Sequence, residues 1–162
     1  MSDWERSTKM VLLEQIRPDH MRAIQEHIET YDLKNVLDDY LICIESTAIK
    51  KKKKLFGGGI PDQTTQIVIV TPLWLVVGAQ GENPGSFGVL TIQLKDTIVK
   101  DYKDEPGFRL IPDEGVNVTG PYTGRVGFES NPFITTFIGL GAEPAAKEFK
   151  DILFDARLKT KG

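Results

Sequence analysis

The stretch that decides the fold is Ile67-Val68-Ile69-Val70-Thr71-Pro72-Leu73-Trp74-Leu75-Val76-Val77. Both of its halves are dense in Val and Ile, whose branched side chains favour β-strands. Pro72 has no N–H to donate to a sheet ladder, so one continuous strand does not fit the stretch. We therefore predict strands over 66–70 and 73–77, with a tight turn at Thr71-Pro72 between them.

Further strand candidates lie on both sides of this pair. Residues 89–94 alternate, with Leu90, Ile92 and Leu94 facing inward and Thr91 and Gln93 outward, which predicts a half-buried strand. The other candidates are 41–49, 97–102, 108–111, a strand marked by Val116 and Val118, 125–128 and 133–140. Short strands separated by Gly and Pro predict a mainly antiparallel barrel or sandwich of about seven strands.

Helical patterns precede and follow these strands. The last helix is predicted to start at Glu143-Pro144 and to run to Lys159, with one apolar stripe formed by Ala145, Phe149, Ile152, Leu153 and Ala156. Residues 1–40 are also predicted to be helical. Pro18-Asp19 is typical of a helix start, Met21, Ile24, Ile28 and Tyr31 recur at helical spacing, and a short second helix is expected over 33–40. The chain thus divides into an N-terminal helical extension, 1–40, and a β-barrel with its C-terminal helix, 41–162.

Composition excludes several functional classes. The 162 residues suit one domain, and 27% of them are charged, as in an ordinary globular protein. The net charge is −3, and the first 40 residues carry five Lys or Arg against nine Asp or Glu. Without a broad basic face, we expect no nucleic-acid partner. The start has no signal-peptide layout and no apolar run approaches membrane-spanning length, so we expect a cytoplasmic protein without a transmembrane segment.

Residues of the kinds that carry catalysis or bind metals are few. His20 and His27 lie seven apart on one face of a predicted helix, which permits a metal pair, but we interpret them as ordinary surface or interface histidines. Cys43 lies in an apolar run and is interpreted as a small buried side chain. Gly57-Gly58-Gly59 lacks the spacing of a phosphate-binding loop. We therefore expect no catalytic residues, no metal and no cofactor, while an enzyme or small-molecule carrier with a pocket of convergent polar groups stays an open alternative.

The run of five lysines is the one local feature that suggests a ligand. It consists of Lys50, Lys51, Lys52, Lys53 and Lys54. A packed barrel would not accept these side chains, so the run is expected to leave the barrel as an arm. Near an anionic surface each lysine would contribute about 1 kcal/mol of attraction to phosphate headgroups. The other interpretation is a solvated hairpin that protects an edge strand from pairing.

The order of elements resembles the pleckstrin-homology-like family, above all its bacterial and GRAM-type members. Three stretches carry the resemblance: the strand pair 67–77, the charged interruption in Leu94-Lys95-Asp96-Thr97-Ile98-Val99, and Phe137-Ile138-Gly139-Leu140-Gly141 leading into Glu143-Pro144. It spans about 41–159 and implies two orthogonal sheets with a helix closing one open end. Lipid-binding members carry spaced Lys and Arg near their first two strands, whereas this run is unspaced and without Arg. The expected function is a non-catalytic module for protein contacts or self-association, or else a peripheral binder of anionic lipid headgroups or phosphate through Lys50–Lys54.

Overall fold

The computed structural model describes residues 3–51, 63–80, 86–124 and 133–160. Within these ranges the fold is mainly β, with eight strands in one curled antiparallel half-barrel and two α-helices. The strands are β1 Trp4–Met10, β2 Ile42–Lys50, β3 Gln63–Val70, β4 Trp74–Gln80, β5 Phe87–Gln93, β6 Ile98–Asp101, β7 Gly115–Thr123 and β8 Phe133–Gly139. The helices are α1 Pro18–Thr30 and α2 Pro144–Lys159.

The strands follow one another in a meander. Each of β1 to β4 pairs with the next strand along the chain. A short 3-10 turn, Leu94–Asp96, separates β5 from β6, and both of these strands pair with β7. They therefore act as two halves of one bent strand. The bend lies at Lys95-Asp96, where the sequence predicted a charged interruption. The last strand, β8, pairs with β7 over its whole length.

Both faces of the central strands are covered. On the inner face, α2 contributes Ala146, Phe149, Leu153 and Ala156 to the larger apolar core. On the outer face, α1 packs through Ile24, with Met21 and Ile28 partly buried, against a second core that includes Cys43 and Ile69. The predicted C-terminal helix is thus confirmed, and the apolar spacing expected for 18–31 does belong to a helix lying on the sheet.

The predicted strand pair and its turn are confirmed. Thr71 sits between β3 and β4, where its backbone N–H donates to the carbonyl oxygen of Trp74 at 2.9 Å. The Thr71 hydroxyl oxygen accepts from the Trp74 N–H, also at 2.9 Å. A Thr side chain that bonds backbone a few residues ahead stabilises such turns locally. The inward positions of β5 are also confirmed, because Ile92 and Leu94 are fully buried in the larger core.

Four expectations are wrong. Trp4–Met10 is a strand of the sheet rather than part of a helical extension. No helix forms over 33–40, where the backbone turns through left-handed residues at Asp32, Asn35 and Asp39. The segment 108–111 is not a strand, because a 3-10 helix covers Pro106–Arg109. Thr91 does not face solvent: it is fully buried, since α1 covers that side of β5. The candidate strand 125–128 lies outside the described residues.

Side-chain hydrogen bonds join the last strand to the first three. Thr8, Ser46 and Gln66 are direct cross-strand neighbours in β1, β2 and β3. Gln66 donates from Nε2 to the carbonyl oxygen of Phe137 at 3.0 Å and accepts at Oε1 from the Gly139 N–H at 3.1 Å. Ser46 Oγ donates to the Gly139 carbonyl oxygen, and Thr8 Oγ1 accepts from the Gly141 N–H at 2.9 Å. This polar row thus binds backbone groups of β8 and of the segment after it without strand pairing.

Candidate functional site

The lysine run begins at the end of β2. Lys50 is half-buried and pairs in register with Trp4, whereas Lys51 is exposed. The Lys51 N–H donates to the carbonyl oxygen of Asp3 at 3.0 Å, which extends the β1–β2 ladder by one bond. Lys52, Lys53 and Lys54 lie outside the described residues. Binding of anions by this run stays a prediction.

A cavity of about 320 Å³ lies beside Lys51, between β1 and the segment that follows β8. Its charged lining consists of Glu5, Arg6, Lys51, Asp113 and Glu114. Arg6 donates to both carboxylate oxygens of Asp113, each at 2.7 Å, and these side chains are only 14% and 12% exposed. Because Asp113 neutralises Arg6, the remaining charges are one lysine and two glutamates. This cavity therefore does not offer Lys51 a basic environment for an anion.

The two histidines lie on the face of α1 that packs against β5. The His20 ring stacks on Phe87 with ring centres 4.1 Å apart and planes 11° from parallel. His27 Nε2 lies 3.2 Å from Thr91 Oγ1. Since the Thr91 hydroxyl lies 3.4 Å from the Thr123 carbonyl oxygen and can donate to it, it is free to accept from His27. Burial lowers the pKa of His27. Both side chains are thus buried between α1 and the sheet rather than at the protein surface.

Neither a reactive thiol nor a set of metal ligands accompanies these histidines in the part of the chain that the structure describes. Burial, with a smaller effect of the Glu45 charge, raises the pKa of the Cys43 thiol to about 12, so the buried thiol stays protonated at neutral pH. Among the described residues, no group of three or more His, Cys, Asp or Glu side chains is arranged to hold a metal ion.

A second cavity, called the α1 cavity here, lies where the start of α1 meets the ends of β4 and β5. Its volume is about 330 Å³, and its lining consists of Arg17, Asp19, His20, Ala23, Gln80 and Phe87. His20 Nδ1 is buried and has no hydrogen-bond partner. The sequence indicated the histidine and the helix start, but nothing in the pattern indicated that Gln80 and Phe87 would face them.

The third feature is a loop that displays apolar side chains, Gly107–Ile111, called the Leu110 loop here. The Gly107 carbonyl oxygen accepts from the N–H groups of both Leu110 and Ile111, at 3.1 and 2.9 Å. The Tyr102 hydroxyl donates to the Ile111 carbonyl oxygen at 2.7 Å. Leu110 is 87% exposed and Ile111 is 71% exposed. Of the apolar residues that suggested a strand at 108–111, Leu110 and Ile111 therefore face water on a backbone held by hydrogen bonds, whereas Phe108 is half-buried.

Comparisons of the chain with protein-family models, with curated proteins and with solved structures gave no match. In the part of the chain that the structure describes, neither helix combines the length and apolar character needed to cross a membrane.

Proposed function

We propose that the protein is a non-catalytic binding module that contacts another protein chain, either a partner or a second copy, through the Leu110 loop. The observation that carries this proposal is the exposure of two adjacent large aliphatic side chains, Leu110 and Ile111, on a hydrogen-bonded turn. Single exposed apolar residues are common on protein surfaces and mean little. Two neighbouring ones on a backbone fixed from both sides form a better anchor for a partner.

The energetics favour use of the loop as an anchor. Full burial of a Leu or Ile side chain contributes about 1.5–3 kcal/mol, so the pair offers roughly 3–6 kcal/mol of gross stabilisation to an interface. Because hydrogen bonds to Gly107 and from Tyr102 already hold the turn, its backbone loses little conformational freedom when a partner binds.

The test compares two double variants, Leu110→Ser with Ile111→Ser and, as matched control, Leu73→Ser with Leu158→Ser. The control residues are also exposed large aliphatics. Light scattering over roughly two decades of concentration detects micromolar self-association, and cross-linked pull-downs detect other partners. We expect the loop variant alone to lose the association or the partner. A wild-type protein that is monomeric and recovers no partner, or equal losses in both variants, would refute the proposal.

We also propose that the half-barrel is of the pleckstrin-homology-like type. The support is a meander that keeps chain order from β1 to β5 and a C-terminal helix, α2, that packs on the inner face. The strand β1 and helix α1 before β2 depart from the expected order. An experimental structure tests the assignment: two sheets crossing near a right angle agree with it, and one sheet without a second packed layer contradicts it.

A further inference from the structure

A cavity, called the 103–109 cavity here, lies beside the exposed side chains of the Leu110 loop and shares residues with that loop. Its volume is about 450 Å³, and its lining consists of Lys103, Asp104, Glu105, Pro106, Phe108 and Arg109. The last two of these belong to the loop, and the exposed Leu110 and Ile111 follow them directly in the chain. An exposed apolar pair and a concave surface are therefore adjacent parts of one segment.

Ring contacts hold the wall of the 103–109 cavity in place. Phe108 meets the Tyr102 ring edge-on, with ring centres 6.1 Å apart, and Tyr102 lies against Phe137 of β8 at 5.1 Å. Edge-on and tilted contacts between aromatic rings are favourable arrangements, so they fix how the three rings lie. The cavity is thus formed before anything enters it, and the protein loses little conformational freedom when an aliphatic side chain does so.

The charges at the rim of the cavity are mixed and open to a partner. Lys103 and Arg109 are positive, whereas Asp104 and Glu105 are negative, so the rim carries no net charge. Within the part of the chain that the structure describes, none of these four side chains takes part in an ion pair. All four charges therefore lie next to the apolar pair without a fixed partner of opposite sign in those residues.

A patch of this composition is complementary to a copy of itself. A two-fold symmetric dimer brings the same patch together from both sides, and each contact occurs twice with the roles exchanged. A rim of one sign would repel its copy, whereas two charges of each sign allow opposite charges to face one another. The apolar pair fits the same symmetry, because each copy offers both a Leu110 side chain and a cavity that receives one.

We propose that the Leu110 loop binds a second copy of this chain, with Leu110 of each copy entering the 103–109 cavity of the other. This inference rests on the proposed function, since it names the occupant of the loop proposed there. The patch consists of one loop and its cavity, which is small for a stable interface. We therefore expect a weak dimer, with a dissociation constant of about 10–100 µM.

Two rim variants test this symmetry without knowledge of which charges meet. Lys103→Glu with Arg109→Glu makes the rim acidic, and Asp104→Lys with Glu105→Lys makes it basic. Each variant alone should associate at least about tenfold more weakly than the wild type, because like charges then face one another. An equal mixture of the two should regain the wild-type affinity or exceed it, since an acidic rim then meets a basic one. Sedimentation velocity at low salt measures both effects, and added salt should reduce the gain on mixing.

Arg22→Glu with Lys34→Glu is the matched control, because it changes the net charge as the acidic rim variant does, at exposed positions outside the cavity. It should associate like the wild type, and circular dichroism verifies that all variants keep the fold. A monomeric wild type, an equal loss in the control, or rim variants that associate no better mixed than apart would each overturn the inference.

Failure of this inference is distinguishable from failure of the proposed function. If the wild type is monomeric but recovers a different protein, and Leu110→Ser with Ile111→Ser loses that protein, the loop is a binding site and its occupant is not a second copy. If the wild type is monomeric and recovers no protein, both proposals fail.

Discussion

Gln66→Met tests whether the polar row holds the half-barrel together. The substitution keeps the length of the side chain but removes the donor to the Phe137 carbonyl oxygen and the acceptor for the Gly139 N–H. Each lost hydrogen bond costs about 1 kcal/mol, and leaving the N–H of the buried Gly139 unpaired adds roughly another 1 kcal/mol. We expect the free energy of unfolding to fall by about 2–3 kcal/mol.

Urea denaturation and hydrogen exchange measure the two consequences. With a slope near 2 kcal/mol per molar urea, the unfolding midpoint should fall by about 1–1.5 M. The amide proton of Gly139 should exchange much faster than in the wild type, while amides within β3 and β4 change only by the global loss of stability.

The matched control is Gln63→Met, on the same strand but exposed, which should change stability by less than about 0.5 kcal/mol. The reasoning fails if Gln66→Met costs no more than this control, or if the Gly139 amide stays as protected as before. Either result would mean that pairing with β7 and apolar packing hold β8 in place without the row.

Three further predictions concern the core, the histidines and the lysines. Phe149→Ala, at a fully buried position where α2 meets the inner face, should cost about 3–5 kcal/mol in denaturation, with Phe133→Ala at the exposed start of β8 costing far less. Burial lowers the pKa of His27 below the usual histidine value of 6.5, so below pH 6.5 the unfolded state binds more protons than the folded state. Stability should therefore fall as the pH drops from 6.5 through the lowered pKa. His27→Gln should flatten this dependence, which urea midpoints measured across the range would show. If Lys50–Lys54 bind anionic vesicles, replacing all five with Ser should abolish sedimentation with them at low salt, a loss of up to about 5 kcal/mol; equal binding by wild type and variant would contradict the role.

Local chemistry explains which elements could be predicted. The β3–β4 pair follows from dense Val and Ile around a Thr-Pro turn, and α2 follows from its apolar stripe, since both patterns depend on neighbours in sequence. The failed helix over 33–40 also had a local signal. Asp32, Asn35 and Asp39 adopt left-handed backbone angles, and Asp and Asn tolerate that conformation better than other non-glycine residues. The Pro-Gly at 106–107 similarly favoured a turn over a strand at 108–111.

The candidate sites were harder to predict because they depend on contacts between distant segments. Gln80 and Phe87 meet the start of α1 only after the sheet has formed, so no spacing rule connects them with Arg17. Thr91 was assigned to solvent because alternation identifies two faces of a strand but not whether a helix covers the second. The exposure of Leu110 and Ile111 runs against the usual expectation for aliphatic residues, and it is visible only once the loop is placed.

The polar row also explains why β1 was missed. Two of its inward positions are Arg6 and Thr8, which a pattern search assigns to a solvated face. Inward positions in the neighbouring strands change in the same way, from Ile44 to Ser46 in β2 and from Val68 to Gln66 in β3. The polar residues lie beside backbone groups of β8 and of the segment after it, and their side chains supply the donors and acceptors that a neighbouring strand's backbone would otherwise provide. A sequence search for such contacts should therefore look for polar residues that interrupt the apolar alternation at matching positions of adjacent strands. Gln66→Met measures how much such a contact contributes to stability.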